Sequence, residues 1–355
     1  SPPLAYETSA FELSADYPTD SVPWTTEILE QTITERASFE KSRHEIDVHY
    51  YRIGHTLAFP LPVSRRSLAA ELPAGISTIV YPWQIWLAWE LEERWNILHA
   101  AWRHQGDDDA GALLQRELAA LVGWDHFHET RDEVGLVTAH IAGVLSMALT
   151  NEFGWDSDLL LSTKAAADAL LARDVTPWLA QQWPEGEPLT PRRIHNIPVI
   201  ALTRAAQLAR VRGHPLTGPL DAQAIVVLQT WASYRTGPEF HTEGTAYDGY
   251  MMDSMTGWLA HLPQREALLK ETATAFRNLA DAWIQLTLPG RFDLQAPLGD
   301  TEPQMPYWTS PLLRLAQWYD WSDALNLLAK IPRGRLPAAT IAEALDEFSH
   351  SSPAS

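Results

Sequence analysis

Pro82-Trp83-Gln84-Ile85-Trp86-Leu87-Ala88-Trp89-Glu90-Leu91-Glu92-Glu93-Arg94-Trp95 is the stretch where the chain turns helical. From here apolar residues recur every three or four positions, the spacing of a helix with one buried face. The same period returns over 83–103, 109–121, 134–152, 158–172, 197–212, 221–234, 247–260, 264–286, 311–321 and 338–348, punctuated by Gly, Pro and Asp. Segments this long, joined by short connections, predict antiparallel helical hairpins following one another in an all-α body. No consensus repeat accompanies them, so a helical solenoid is disfavoured and a ring of hairpins remains.

The regions outside this body read differently. Residues 1–35 are polar and Pro-containing, anchored mainly by Trp24, and predict an extended arm. Between Phe39 and Leu72, His49-Tyr50-Tyr51 and Leu57 to Val63 suit either short strands or irregular wrapping, because Pro60 and Pro62 forbid regular pairing where they stand. The expected organisation is therefore an arm and wrapping segment over 1–74, a helical body over 75–348 and a tail over 349–355. The turn-rich link from Trp183 to Arg192 is expected to separate two halves of one ring rather than two domains. The segment from Gly290 to Trp308 is long enough to carry function.

Composition narrows the partners. A chain of 355 residues exceeds the about 250–300 that usually share one core, so two domains or a large closed architecture is expected. Sixteen tryptophans exceed what a core needs and suggest an aromatic-lined surface. Lys+Arg 26 against Asp+Glu 45 gives a net charge of -19, which repels nucleic acid and anionic membranes. A polyanionic ligand would need a local basic pocket, and Arg192, Arg193 and His195 supply one candidate. Arg204, Arg210 and Arg212 lie downstream of it, either adding to that pocket or forming a solvated helix face.

The absence of cysteine removes disulfides, thiol nucleophiles and thiolate metal sites. No Gly-rich phosphate loop, Gly-x-Ser-x-Gly elbow or His-x-x-x-His pair is present, and the alternating His126 and His128 lack a third ligand. Neither a cofactor nor a metal is expected. No run of eighteen apolar residues occurs, and the Ser-Pro-Pro start suggests a processed, secreted or periplasmic chain.

Chemistry-bearing residues gather in a few places. Glu243-Gly244-Thr245-Ala246-Tyr247-Asp248-Gly249-Tyr250 sets two phenols three residues apart on one helix face beside a carboxylic acid. A phenol ionises near pH of about 10 and becomes a base only beside stabilising charge or donors. Tyr247 and Tyr250 are thus either proton carriers or amphipathic core residues. Asn196, in Arg192-Arg193-Ile194-His195-Asn196-Ile197-Pro198, is either a helix cap or part of a carboxylate site at a helix start. His140 lies on the stripe of Val137 and Val144, as a core histidine or a site residue. Trp83, Trp86 and Trp89 are core, or flat faces on which a sugar ring stacks.

Three motifs in order resemble the helical domain of the heparinase II/III-like polysaccharide lyases and related alginate lyases. They are Leu136-Val137-Thr138-Ala139-His140 with Phe153-Gly154-Trp155-Asp156, then His195-Asn196-Ile197-Pro198, then the Glu243 to Tyr250 segment. Pro297-Leu298-Gly299-Asp300 adds weaker likeness, and the whole spans roughly residues 75–335. The resemblance implies an incomplete (α/α) toroid, in which inner and outer helices alternate around a ring. It implies β-elimination on an acidic polysaccharide containing uronic acid. Asn196 and His195 would hold the C6 carboxylate. Tyr247, or Tyr250 in its place, would carry the proton, and Glu243 would orient the tyrosine or the sugar. His140, Arg192, Arg193, His241, Trp86 and Trp89 would bind substrate.

Family members place a β-sandwich after the toroid. None is legible before Ser355, so a missing partner domain is an expectation. Two alternatives stand beside the lyase: a hydrolase using Glu243 with Asp248 or Asp253 across a sugar, and a glycan-binding toroid without chemistry.

Overall fold

The computed structural model describes residues 24–50, 53–58, 80–124, 127, 134–235, 244–296, 298, 307–332 and 336–351. Most of them are helical, and the strands form only two small antiparallel ladders. The protein is all-α. Its chain divides into two compact units, unit 1 comprising Ser1–Thr32, Gly186–Thr203 and Asp221–Ser355, and unit 2 comprising Ile33–Glu185 and Arg204–Leu220. One boundary, Glu185/Gly186, falls inside the turn-rich link between Trp183 and Arg192.

The first helix, α1 (Thr26–Ser42), occupies ground expected to be extended. Leu29, Ile33 and Ala37 stand four residues apart and are fully buried. Three apolar residues in a polar, Thr-containing segment make a thin stripe, and packing rather than propensity decides such a helix. A hairpin follows, β1 (Glu45–Tyr50) against β2 (Ile53–Ala58), in register from Glu45↔Ala58 to Tyr50↔Ile53. Of the two readings left open for this region, short strands hold here, and the ladder ends at Ala58, ahead of Pro60.

In unit 2, α2 (Val80–Gln105) lies against α3 (Asp108–Val122) and α4 (Val134–Thr150). Asp107 caps α3 by accepting from the Ala110 amide at 3.0 Å, and Asp108 and Asp109 complement the helix dipole. α4 is apolar nearly all round and is buried accordingly.

The next helix, α5 (Ser157–Ala169), capped by Asp156, was expected to stop at Ala172. It passes instead through a π-turn, Leu170–Val175, into α6 (Thr176–Gln182). Pro177 has no N–H to donate and its ring crowds the preceding turn, so a widened turn upstream lets the helix continue. The Thr176 hydroxyl donates to the Leu171 carbonyl at 2.7 Å there.

The chain continues through α7 (Asn196–Arg212), α8 (Thr217–Ser233), α9 (Thr245–Leu259) and α10 (Arg265–Leu286). A small unexpected hairpin follows, β3 (Thr287–Leu288) with β4 (Arg291–Gln295), turning at Gly290 with φ +78°. Then come α11 (Thr309–Tyr319), α12 (Ser322–Leu328) and α13 (Ala338–Ser351). Trp95, Trp231, Trp258 and Trp283 are fully buried, and Trp124, Trp155, Trp178 and Trp308 are also in the core. Eight of the sixteen tryptophans therefore serve the interior.

Candidate functional site

Unit 1 holds the His-Asn and Tyr-x-x-Tyr motifs. A single 3-10 turn, Pro191–Arg193, precedes α7, closed by the Ile194 amide donating to the Pro191 carbonyl at 3.1 Å. Ile194 is buried and anchors the segment. His195 sits in the cap position, its carbonyl accepting from the Val199 amide at 3.4 Å, while Asn196 is the first helical residue. The cap expected of Asn196 thus falls one residue earlier. Asn196 is 5% exposed and His195 half-buried. Arg192 is exposed, and Arg193 pairs with Glu187 at 2.5 Å.

α9 begins at Gly244, whose φ of +89° is a conformation that suits glycine alone. This accounts for the glycine of the Glu-Gly motif. Tyr247 is half-buried in the first turn, whereas Tyr250 is 7% exposed and covered by Tyr307, the rings stacked at 4.5 Å and 19°. Of the two phenols, Tyr247 is the more open. A second glycine, Gly249, lies so close to the Trp308 backbone that an added Cβ would stand 2.7 Å from its nitrogen.

Asp248 is buried and accepts from Arg235 Nη2 at 3.2 Å, and that guanidinium also lies over the Trp231 ring at 5.0 Å. The pair ties the end of α8 to the first turn of α9. Five residues further, Asp253 accepts from Arg314 at 3.0 Å. Burial alone would lower the Arg314 pKa, but Glu343 and Asp253 raise it above the usual range.

A hydroxyl pair joins α7 to α9. Thr203 Oγ1 and Ser254 Oγ are 2.6 Å apart, buried, and Ser254 also reaches the Ile200 carbonyl at 3.4 Å. Thr203 lies seven residues beyond Asn196, and Ser254 seven beyond Tyr247. Each motif therefore starts about 10 Å along its helix from the same pin.

Unit 2 contains the third motif. His140 is 2% exposed on α4, with Nδ1 2.5 Å from Glu92 Oε2. The other Glu92 oxygen accepts from Arg204 Nη1, also at 2.5 Å. Burial alone would raise the Glu92 pKa, but the Arg204 charge and the hydrogen bonds from His140 and Arg204 hold it at about 2. Gly143, one turn from His140, makes room for this contact, since a Cβ there would collide with Arg204 and Glu92. Arg204 is thus no part of a solvated face, whereas Arg212 pairs with Asp168 at 2.9 Å in a partly exposed ion pair.

Trp89 is half-buried in α2. The side chain of Trp86, and His241 and Glu243 altogether, lie outside the described residues, as do His126 and His128. Sequence reasoning did not single out Glu92, Arg235 or Tyr307. Glu92 lies in a polar run, Glu90 to Arg94, where nothing separates the inward carboxylate from its neighbours. Arg235 follows a helix end, as many solvated arginines do. Among the described residues no helix is long and apolar enough to cross a membrane. Comparison with models of known families, with curated proteins and with solved structures finds no match to this chain.

Proposed function

We propose that this chain is a polysaccharide lyase, an incomplete (α/α) toroid that cleaves a uronic-acid-containing glycan by β-elimination. The observation that carries the reading is the Thr203–Ser254 pin, equidistant along the two helices from Asn196 and from Tyr247. The reading takes α7 and α9 as neighbouring inner helices of the ring, which would run in the same direction. Two such helices, level at one point, bring their first turns to one end. On that reading the amide and imidazole of one motif would share a site with the phenol of the other, at the mouth of a ring built by alternating inner and outer helices.

In that site Asn196 and His195 bind the C6 carboxylate and stabilise the negative charge that develops on it as the C5 proton leaves. Tyr247, as phenolate, takes that proton. The electron pair of the C5–H bond becomes the C4–C5 double bond, the C4–O4 bond breaks, and the departing O4 is protonated, Tyr247 being placed to return the proton. Tyr250, buried under Tyr307, supports Tyr247 without replacing it. The hydrolytic alternative needs two uncommitted carboxylates, whereas Asp248 and Asp253 are tied to Arg235 and Arg314.

The test is ultraviolet absorbance of unsaturated uronate on a panel of alginate, polyglucuronate, hyaluronan and heparosan. Wild-type chain is expected to generate absorbing product on one of them, and Tyr247→Phe and Asn196→Ala to lose it by about 10²–10⁴ in rate. Reducing ends released without absorbance would replace elimination by hydrolysis. Binding without turnover would leave a glycan-binding toroid.

A further inference from the structure

We infer that Tyr307 is a specificity-determining residue of the same site, an aromatic wall against which a sugar ring next to the cleaved bond rests. The inference rests on the lyase reading above and adds to it a residue outside every motif that suggested that reading. Tyr307 ends the segment that began at Gly290, and its ring lies 4.5 Å from that of Tyr250 at 19°. Tyr250 follows Tyr247 by three residues and shares its helix face, so the stack sets Tyr307 beside the proton carrier. Unlike Tyr250, which is 7% exposed, Tyr307 is only partly buried. It is the member of the pair that solvent reaches.

Its placement is built into the helix. Gly249 presents no side chain toward the Trp308 backbone, where a Cβ would stand 2.7 Å from the nitrogen and 3.0 Å from the Cα. Trp308 itself is 3% exposed, and α9 lies against α11 immediately after it. A buried tryptophan on one side and a stacked phenol on the other thus hold Tyr307 in one position. A partly exposed aromatic ring held rigidly offers a flat apolar face at little entropic cost, and the axial C–H groups of a pyranose sit on such faces. The expected ligand is a neutral or uronic pyranose whose less polar face turns toward α9.

Three variants test this, each assayed for turnover on whichever polymer the wild type cleaves and for binding of the matching tetrasaccharide by calorimetry. Tyr307→Ala is expected to raise KM and Kd about tenfold or more with kcat changed less than about threefold, because a group that binds ground and transition states alike affects KM alone. Tyr307→Phe keeps the face and stays near wild type. Gly249→Ala removes no contacting group, yet by displacing Trp308 it reproduces the rise in KM. Gly257→Ala, a helical glycine of α9 whose added Cβ meets nothing nearer than 3.6 Å, controls for a general effect of alanine in the helix. If Tyr307→Ala turns over and binds like wild type, the wall is elsewhere and the inference fails alone. If Tyr307→Ala lowers kcat and leaves KM unchanged, the ring acts in chemistry and the inference is likewise overturned. If the wild type neither cleaves nor binds any uronate oligomer, the lyase reading falls and Tyr307 loses its role with it.

Discussion

His140 and His195 look alike in the sequence, each a lone histidine beside a helix signal, yet the two units treat them oppositely. In unit 2, His140 is sealed into α4, its Nδ1 held by Glu92, whose other oxygen is held by Arg204. In unit 1, His195 stands half-buried at the start of α7, at the end of a 3-10 turn with Arg192 exposed nearby. The first arrangement commits three ionisable groups to one another, and a buried network of that kind is costly to break. The second leaves a histidine only half-buried. On the lyase reading proposed above, the contrast moves the weight of the site from His140 to unit 1.

The largest effect follows from removing the hub of the buried cluster. Glu92→Ala leaves Arg204 and His140 without their carboxylate and is expected to destabilise the protein by about 3–5 kcal/mol, measured by urea denaturation. A loss below about 1 kcal/mol would show that the cluster is not holding unit 2 together, and His140 would return to the list of binding residues.

Acid titration sharpens the same point. The folded pKa of Glu92, about 2, lies below its ordinary value of 4.5, so the folded state binds fewer protons than the unfolded one through that window. Stability from this group is fully present above pH of about 5 and is lost as pH falls from 4.5 toward 2. The shift corresponds to about 3 kcal/mol. Glu92→Gln is expected to flatten that part of the stability profile. An unchanged slope in the variant would place the acid sensitivity in other carboxylates.

The open histidine is expected to behave in the opposite way. His195→Ala should leave the urea midpoint nearly unchanged while lowering kcat/KM for the uronate polymer by about 10–100-fold, or about 1.4–2.8 kcal/mol of transition-state stabilisation. His140→Ala should show the reverse order, with the midpoint falling first. Equal loss of stability in both variants would erase the distinction between the two histidines.

The long helices were legible because each carries several apolar residues at helical spacing, as in Ala110, Leu114, Leu118 and Leu121 of α3. α1 was not, since three apolar residues in a polar segment give too weak a stripe. The passage through Pro177 was missed for another reason: proline reads as a stop, and only a π-turn upstream makes it passable. In the candidate site, Tyr247 and Tyr250 were singled out from their spacing along one helix and Asn196 from its place at a helix start. Tyr307 and Arg235 were not, because their partners come from other elements of the chain and no local pattern records a tertiary contact. Gly249 shows the limit well. Its presence next to Tyr250 was visible, but its cause, the Trp308 backbone, lies 59 residues further along the sequence.

The smallest effect concerns Arg193, which marks where the open region stops contributing to stability. Its guanidinium meets Glu187 at 2.5 Å with 31% and 53% of the two side chains exposed. Solvent-exposed pairs of this kind contribute about 0–1 kcal/mol, and salt screens them. Arg193→Ala should therefore change the urea midpoint little, and not at all in about 0.5 M salt. Binding is different: on the proposed lyase reading Arg193 would exchange Glu187 for a uronate carboxylate, so in the variant KM for the polymer should rise while its salt dependence weakens. A variant with lower stability but the same KM would assign Arg193 to the fold, as Arg204 is assigned by Glu92, and the basic pocket before α7 would shrink to Arg192 and His195.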